Sequence, residues 1–431
     1  MSGVSQCETP AFLKPAVAQA ASLVESLAWP GRRTENWKYS TVRQNRLDGF
    51  LQDEVLSSQT RGSGVEQALA STVIPSLDTL RLVMVNGFFR ADLSTDDLPE
   101  CLTVCAFADA DSDQQALISQ KIHAQLESVS DRFQARRLSA MQDGLLVLVA
   151  ANTKIHKPVE VVWLNTQGQS SGATAQVCLI VLAAGAEASL IERFHCDDAL
   201  TDRILLGQTH LYLDRNAQLQ HYALHQESER AWIVSEQTVD LETAANYQGF
   251  QLALGAELQR IGITVNHLGQ QAHCGLNGVY LPKGKSHVDF HTTIEHAVPN
   301  CTTDEIFRGI IGDDARAVFN GRIHIHKDAQ KTLAKLSNKN LLTSEKAEAN
   351  TKPELEIYAD DVQCAHGATV AQLDKSSVHY LRTRGIPETQ AIMMLSFGFV
   401  NELLDVLPHQ AIANHLKSKL ASRFSAVECP V

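Results

Sequence analysis

The stretch GAELQRIGITVNHLGQQAHCGLNGVYLPKGKSHVD, residues 255–289, holds short alternating runs opened by turn residues at Gly255, Gly269 and Gly284. Each junction is a turn residue, then usually a small or polar pair, then a run that alternates in polarity. The same junction occurs as GAEASL at Gly185, NAQLQH at Asn216, DARAVF at Asp314 and DAQKTL at Asp328. In chain order the junctions step by 31, 39, 14, 15, 30 and 14 residues, clustering near a quantum of 14–15 and its double. One strand plus one turn per quantum, two per coil, is the pattern of a β-solenoid. The runs are too short for helices, and no helical crossovers lie between them as βαβ units would need. The spacing predicts a β-helix from about Gly144 to Leu373, each strand stacked on the one a coil earlier. An antiparallel sandwich with regular turns is the alternative.

Outward from this core the character changes. In Pro15–Ala28, residues Ala16, Val17, Ala20, Leu23, Val24 and Leu27 recur at helical spacing, and Pro30-Gly31 ends the pattern. RRTENWKYSTVRQNRLDGF, from Arg32, is polar with embedded aromatics and has no period. A strand is expected at Leu80–Val85, with Asn86-Gly87 as its turn, and polar helices near Asp113–Leu126 and Asp131–Met141. Beyond Asp374 the pattern is helical again. Ile392, Leu395, Phe399, Leu403 and Val406 run beside Met393, Phe397, Val400, Leu404 and Leu407. Pro408 interrupts, and Ile412, Leu416, Leu420 and Phe424 follow at i,i+4. The double stripe is wider than a surface helix needs, which suits an end cap or a docking surface. The division expected is 1–143 mostly helical, 144–373 β-helix, and 374–431 helical.

Composition excludes several classes. A net charge of −12 over 431 residues argues against nucleic acid or an anionic membrane as partner. No apolar run approaches the roughly 20 residues of a membrane span, and the N-terminus lacks signal-peptide character, so a cytoplasmic location is expected. The nine cysteines are scattered without a CxxC pair, so reduced, mostly buried thiols are expected and no permanent cluster or zinc cage. The sequence has no Walker, GxGxxG, GxSxG or HExxH motif, so ATPase, dinucleotide and common hydrolase chemistry is unsupported.

The candidate ligands are few. His287, Asp289 and His291 share one face of a strand, which suits a first-row metal or a polar ladder on the outside of the solenoid. His324 and His326 are paired in the same way, and Cys101 and Cys105 form a weaker pair. In DDVQCAHGATV, Cys364 and His366 project to one side of an extended segment, giving a thiolate and an imidazole for a soft metal or a sulfur-carrying intermediate. A buried Cys beside a structural His is the alternative.

The run FRGIIGDDARAVF, Phe307–Phe319, with the NGRIHIHKDAQKTLAKLSNKNLL after it, resembles the SufB/SufD family. Thr351–Ile386, TKPELEIYADDVQCAHGATVAQLDKSSVHYLRTRGI, resembles it more closely still, and RRTENWKYS near the start resembles the family's N-terminal Arg-Glu-aromatic-Lys/Arg-Tyr segment. The strong similarity covers Phe307–Phe399. His366-Gly367-Ala368-Thr369 stands where SufB has His-Glu-Ala-Thr, so the string is similar to the SufD form. Leu333 and Ala371 depart from the residues common in the family.

The resemblance implies a mainly β fold, a right-handed parallel β-helix between helical ends, and a non-catalytic scaffold for iron–sulfur cluster assembly. It implies pairing with SufB through the β-helix ends, docking of the ATPase SufC on the C-terminal helices around Phe399 and Leu403, and sulfur from SufS/SufE. A homodimer of the isolated chain is a further expectation. It places the interface histidine at His366, with Cys364 beside it, as a transient metal ligand shared with the partner. No tightly bound cofactor is implied for the lone chain. A transient Fe–S cluster, and reduced flavin (FADH2), belong to the complex. Two rivals are a carbohydrate-active β-helix enzyme, which would be exported and carry clustered acids, and a metal enzyme built on His287, Asp289 and His291.

Overall fold

The computed structural model describes residues 9–425 apart from 41, 43, 52–62, 166–171 and 197–202. Helices α1 (Lys14–Ser26), α2 (Gln44–Gly49) and α3 (Ser63–Ser71) precede strands β1 (Leu80–Val85), β2 (Phe88–Phe89) and β3 (Leu102–Ala106). Then come α4 (Ser112–Glu127), α5 (Arg132–Ser139) and β4 (Leu145–Val149). The solenoid runs through β5 (Val159–Asn165), β6 (Gly172–Leu182), β7 (Glu187–Cys196), β8 (Arg203–Leu213), β9 (Gln218–His225) and β10 (Trp232–Leu241). It continues with β11 (Asn246–Ala253), β12 (Leu258–His267), β13 (His273–Tyr280), β14 (His287–His296) and β15 (Thr302–Ile311). Strands β16 (Arg316–Ile325), β17 (Leu333–Leu342), β18 (Glu348–Ile357) and β19 (Gln363–Gln372) complete it. Helices α6 (Lys375–Arg382), α7 (Glu388–Asp405) and α8 (Gln410–Ser425) follow.

Each solenoid strand pairs in parallel with the strand two places on. Odd-numbered strands therefore build one sheet ending at β19, and even-numbered strands build the other, ending at β18. This is the parallel β-solenoid that the spacing predicts, with about seven coils, and the sandwich alternative falls away. Paired residues lie from 26 positions apart (Trp232 and Leu258) to 33 apart (Leu145 and Cys178), two quanta of the sequence repeat. All seven predicted junctions lie between strands. Gly185 and Asn216 take the left-handed conformation that such corners need, with φ of 70° and 59°.

Period-2 alternation sends one set of side chains into the lumen, where Tyr280, Phe290, Phe307 and Phe319 stack ring on ring from coil to coil. The outer faces are covered by the chain ends. On the even sheet, α1 and α4 pack over Leu146, Val177 and Leu179, while Trp37, Phe50 and Phe133 cover Ile204, Leu206 and Trp232. Both polar N-terminal helices form where expected, each started by an aspartate cap, Asp111 for α4 and Asp131 for α5. β1 joins the odd sheet beside β5, and β3 the even sheet beside β4, so this region also closes the first coil.

The tail does not cap the far end. Helices α7 and α8 turn back along the odd sheet, and Val400, Leu403, Leu404, Ile412, Leu416 and Leu420 bury against Tyr222, Phe250, Leu252, Val279 and Ile310. The wide apolar stripe is accounted for by this sheet together with the α7–α8 contact. The last coil is left open. Strands β18 and β19 are terminal in their sheets, and no residue of either is buried.

Candidate functional site

The open coil carries Cys364 and His366. The Asp360-Asp361 tract forms the corner leading into β19, tied to the coil beneath by the Gln330 side chain, which accepts from the Asp361 N–H at 2.9 Å. In register, Cys364 sits over Ala334 and His366 over Leu336. Ala334 and Leu336 are buried lumenal residues, so both side chains of β19 stand over the lumen mouth. The opposite wall comes from β18, whose half-buried Ala349 and Leu355 pack on the same core. His366 is exposed and Cys364 half-buried.

Burial raises the Cys364 thiol above its ordinary value, and the Ala334 backbone only tempers the rise. The group therefore stays a thiol near neutrality until a metal or a neighbouring cation favours the thiolate. An imidazole and a masked thiol at an open mouth form an incomplete ligand set, able to hold a cargo when a second surface adds donors. Gly367 faces away from the lumen, and a side chain there would meet nothing within 4 Å. Its role is not steric.

One lumenal group escaped the sequence reading. Glu305 lies two coils beneath His366, because Glu305 pairs with Leu336 and Leu336 with His366. Burial pushes its carboxyl up to about 7, a rise that the neighbouring Thr292 hydroxyl only tempers. The only signal was its place, 61 residues before His366 and so two repeats away.

The other candidates lie elsewhere. His287, Asp289 and His291 do share the outer face of the even sheet, but the segment Arg32–Ser40 lies over that face, with a cavity between it and Asp289 and His291. Ser40 Oγ is 2.8 Å from His287 Nε2, Asp289 is ion-paired with Arg260, and Arg260 lies 4.2 Å over the Trp37 ring. Burial alone would raise Asp289, yet Arg260 and then His291 hold it well below the carboxylate range. This trio is an N-terminal docking ladder whose donors are engaged within the chain. His324 Nδ1 and His326 Nε2 both reach Glu295 Oε2, at 2.6 and 2.8 Å, on the outer face. Cys105 lies on the antiparallel strand β3, and Cys101 in the turn just before it. In the tail, Leu403 is only 4% exposed and packed on the chain's own sheet. Phe399 is half-buried against the same cluster with Arg308 near its ring. The exposed face of α7 instead carries Met394, at 51%, and Gly398.

Comparison with known proteins agrees with this architecture. Residues 164–399 match the model of the SufBD core domain of SUF-system FeS cluster assembly, and residues 5–161 match the SufBD protein N-terminal region. The chain is 29% identical to the iron–sulfur cluster assembly protein SufD of Escherichia coli, over 91% of this chain and 89% of that one. It is 27% identical to an iron–sulfur cluster assembly SufBD family protein of Synechocystis, over 94% and 89% of the two chains. It is 24% identical to the chloroplastic protein ABCI7 of Arabidopsis thaliana, over 93% and 85%. No helix among the described residues is long and apolar enough to cross a membrane. With a parallel solenoid, an open last coil bearing Cys364 and His366, and family matches along nearly its whole length, the chain belongs to the SufBD family of iron–sulfur cluster assembly proteins.

Proposed function

We propose that this chain is the SufD-type, non-catalytic scaffold of a cytoplasmic SUF complex, with His366 and Cys364 supplying part of the ligand set for a nascent cluster at a SufB interface. The observation that carries the reading is the open coil. Two unpaired strand edges and an uncovered lumen mouth lie together where the chain places its imidazole and thiol. A long unprotected edge is a liability that a partner strand relieves. A SufB β-helix set against β18 and β19 would bury these edges and bring its own thiolate to the mouth. The incomplete ligand set then serves release as well as assembly, with sulfur delivered to the complex by SufS/SufE. The same edge is open to a second copy of this chain when the partner is absent.

The ATPase SufC docks, in this reading, on the exposed face of α7. Gly398 supports it. A mid-helix glycine costs about 1 kcal/mol relative to alanine, and a Cβ here would meet nothing within 4 Å among the described residues. A flat spot that the fold itself does not need suits close approach of a partner. The test is co-purification of the tagged chain with its partners, followed by complementation of a strain lacking the gene. Loss of cluster assembly in His366→Ala with intact partner recovery supports the assignment, whereas full assembly returns His366 to a structural role.

A further inference from the structure

Stacking makes each lumenal position a column, and two columns break their pattern at the same place. One column reads Leu213, Leu241, His267, His296, Ile325 through successive coils. The neighbouring corner column is alanine at Ala217, Ala245 and Ala272, becomes Cys301, and then Thr332. His267, His296 and Cys301 are all fully buried. The imidazoles are stacked at 4.2 Å with planes 9° apart. Thr303 Oγ1 holds both rings by one edge, 3.1 Å from His267 Nε2 and 3.0 Å from His296 Nε2. The other nitrogen of each ring, Nδ1, has no partner among the described residues. Burying two half-satisfied imidazoles where aliphatic side chains fill the same column above and below is unfavourable unless something else binds them.

One nitrogen from each ring and Cys301 Sγ lie within 4.8 Å of one another. We propose that His267, His296 and Cys301 form a buried site for a borderline-soft divalent cation of the zinc or ferrous type, tying two coils together at a solenoid corner. The donor set is the chemical choice of such ions: neutral imidazoles and a thiolate. The Thr303 oxygen has two lone pairs and accepts from both Nε2–H groups, which fixes the tautomer as outer partners of metal-bound histidines do. On binding, the Cys301 Sγ–H bond breaks, its proton leaves to solvent, and the thiolate takes the metal. Glu305 lies two positions beyond Thr303 on the same face of β15. The ion enters through the corner, where exposed Leu268 follows His267 directly. Thr303 lies beneath Ala334, and Ala334 beneath Cys364, so the site sits two coils, about 10 Å, below the mouth.

The test uses the full chain carrying His324→Ala and His326→Ala, to remove the surface Glu295 cluster, stripped with chelator and titrated with Co2+ and then Zn2+. One equivalent of Co2+ is expected, with thiolate-to-cobalt charge-transfer absorption that Zn2+ displaces and a metal-dependent rise in melting temperature. Cys301→Ala adopts the residue of three neighbouring coils and keeps the fold. It is expected to lose the charge-transfer band and at least tenfold in affinity. His267→Leu, also a column residue, is expected to lose binding. Absence of stoichiometric Co2+ binding in the parent chain overturns the proposal, as does binding and absorption unchanged in folded Cys301→Ala. His366→Ala, run in parallel, is expected to leave this binding intact; loss there would move the site to the mouth.

Discussion

His366 lies directly over Leu336, one coil up in the same lumenal column, so the imidazole occupies a position that the coil beneath fills with a buried aliphatic side chain. Among the described residues the imidazole is exposed. His366→Ala is therefore expected to leave the melting temperature within about a degree, since exposed substitutions move stability by under about 0.5 kcal/mol. Cluster assembly, followed by complementation and by absorption of the reconstituted complex, is expected to be lost. Cys364→Ala is expected to be milder, because a partner can supply a thiolate. Gly367→Glu, which meets open space, is expected to fold normally.

The tail separates folding from docking. Leu403→Glu places a charge in the buried α7–sheet contact and is expected to cost more than about 3 kcal/mol. Met394→Glu and Gly398→Leu alter only the exposed face of α7, and are expected to keep the denaturation midpoint while weakening ATPase-subunit binding at least tenfold. Calorimetric titration against purified ATPase subunit, alongside circular dichroism, tests this. Tight binding by both surface variants would place the docking surface elsewhere.

Burial raises the Glu305 carboxyl from 4.5 to about 7. Between those values the unfolded chain has released this proton and the folded chain has not. Stability contributed at this position therefore falls as pH rises through the window and levels off above it. Glu305→Gln, which mimics the protonated form, is expected to match the parent at pH 4 and exceed it by on the order of 2–3 kcal/mol at pH 8. Urea denaturation of chelator-treated protein at the two pH values measures the difference. An equal difference at both would show that Glu305 is ionised in the fold.

Arg260 joins three parts of the molecule: Asp289 on the next coil, the Trp37 ring, and through it the N-terminal segment. Arg260→Met leaves the buried Asp289 carboxylate with only His291 and Ser40 beside it and is expected to lose about 3 kcal/mol. Adding Asp289→Asn removes the charge and is expected to recover most of the loss. A double-mutant cycle without coupling would contradict the pairing.

Much of this architecture was legible, and the misses have physical causes. The junctions at Gly185, Asn216, Gly255, Gly269, Gly284, Asp314 and Asp328 announced themselves through turn residues. The corners at Ala244 and Lys331 did not, although both take positive φ, because the stacked coil forces a conformation their side chains do not advertise. The stripe on Ile392–Leu407 was visible, but a stripe records that a helix is covered and not by what. The sheet that covers it, around Tyr222 and Phe250, lies far back along the chain and meets the helix only because the chain doubles back. The polar ladder His287–His291 was readable as a ladder, while its cover by Trp37 depended on a contact some 250 residues distant. His267 and His296 stand 29 positions apart, one coil, and become neighbours only when the repeat is aligned as columns.

The exposed last coil has a consequence for how the protein is made. Coils stack in chain order, each resting on the one before, so a chain leaving the ribosome can add them one at a time onto the foundation laid by β1 and β3. The rung that bears Cys364 and His366 is the final one and has a neighbour on one side only. Its amide hydrogens are expected to exchange with solvent before those of the inner rungs, which hydrogen-exchange measurement on the isolated chain checks. In the proposed assembly a subunit set against it would be the missing next rung, and the chemistry at the mouth would become rigid at the moment of assembly, not before.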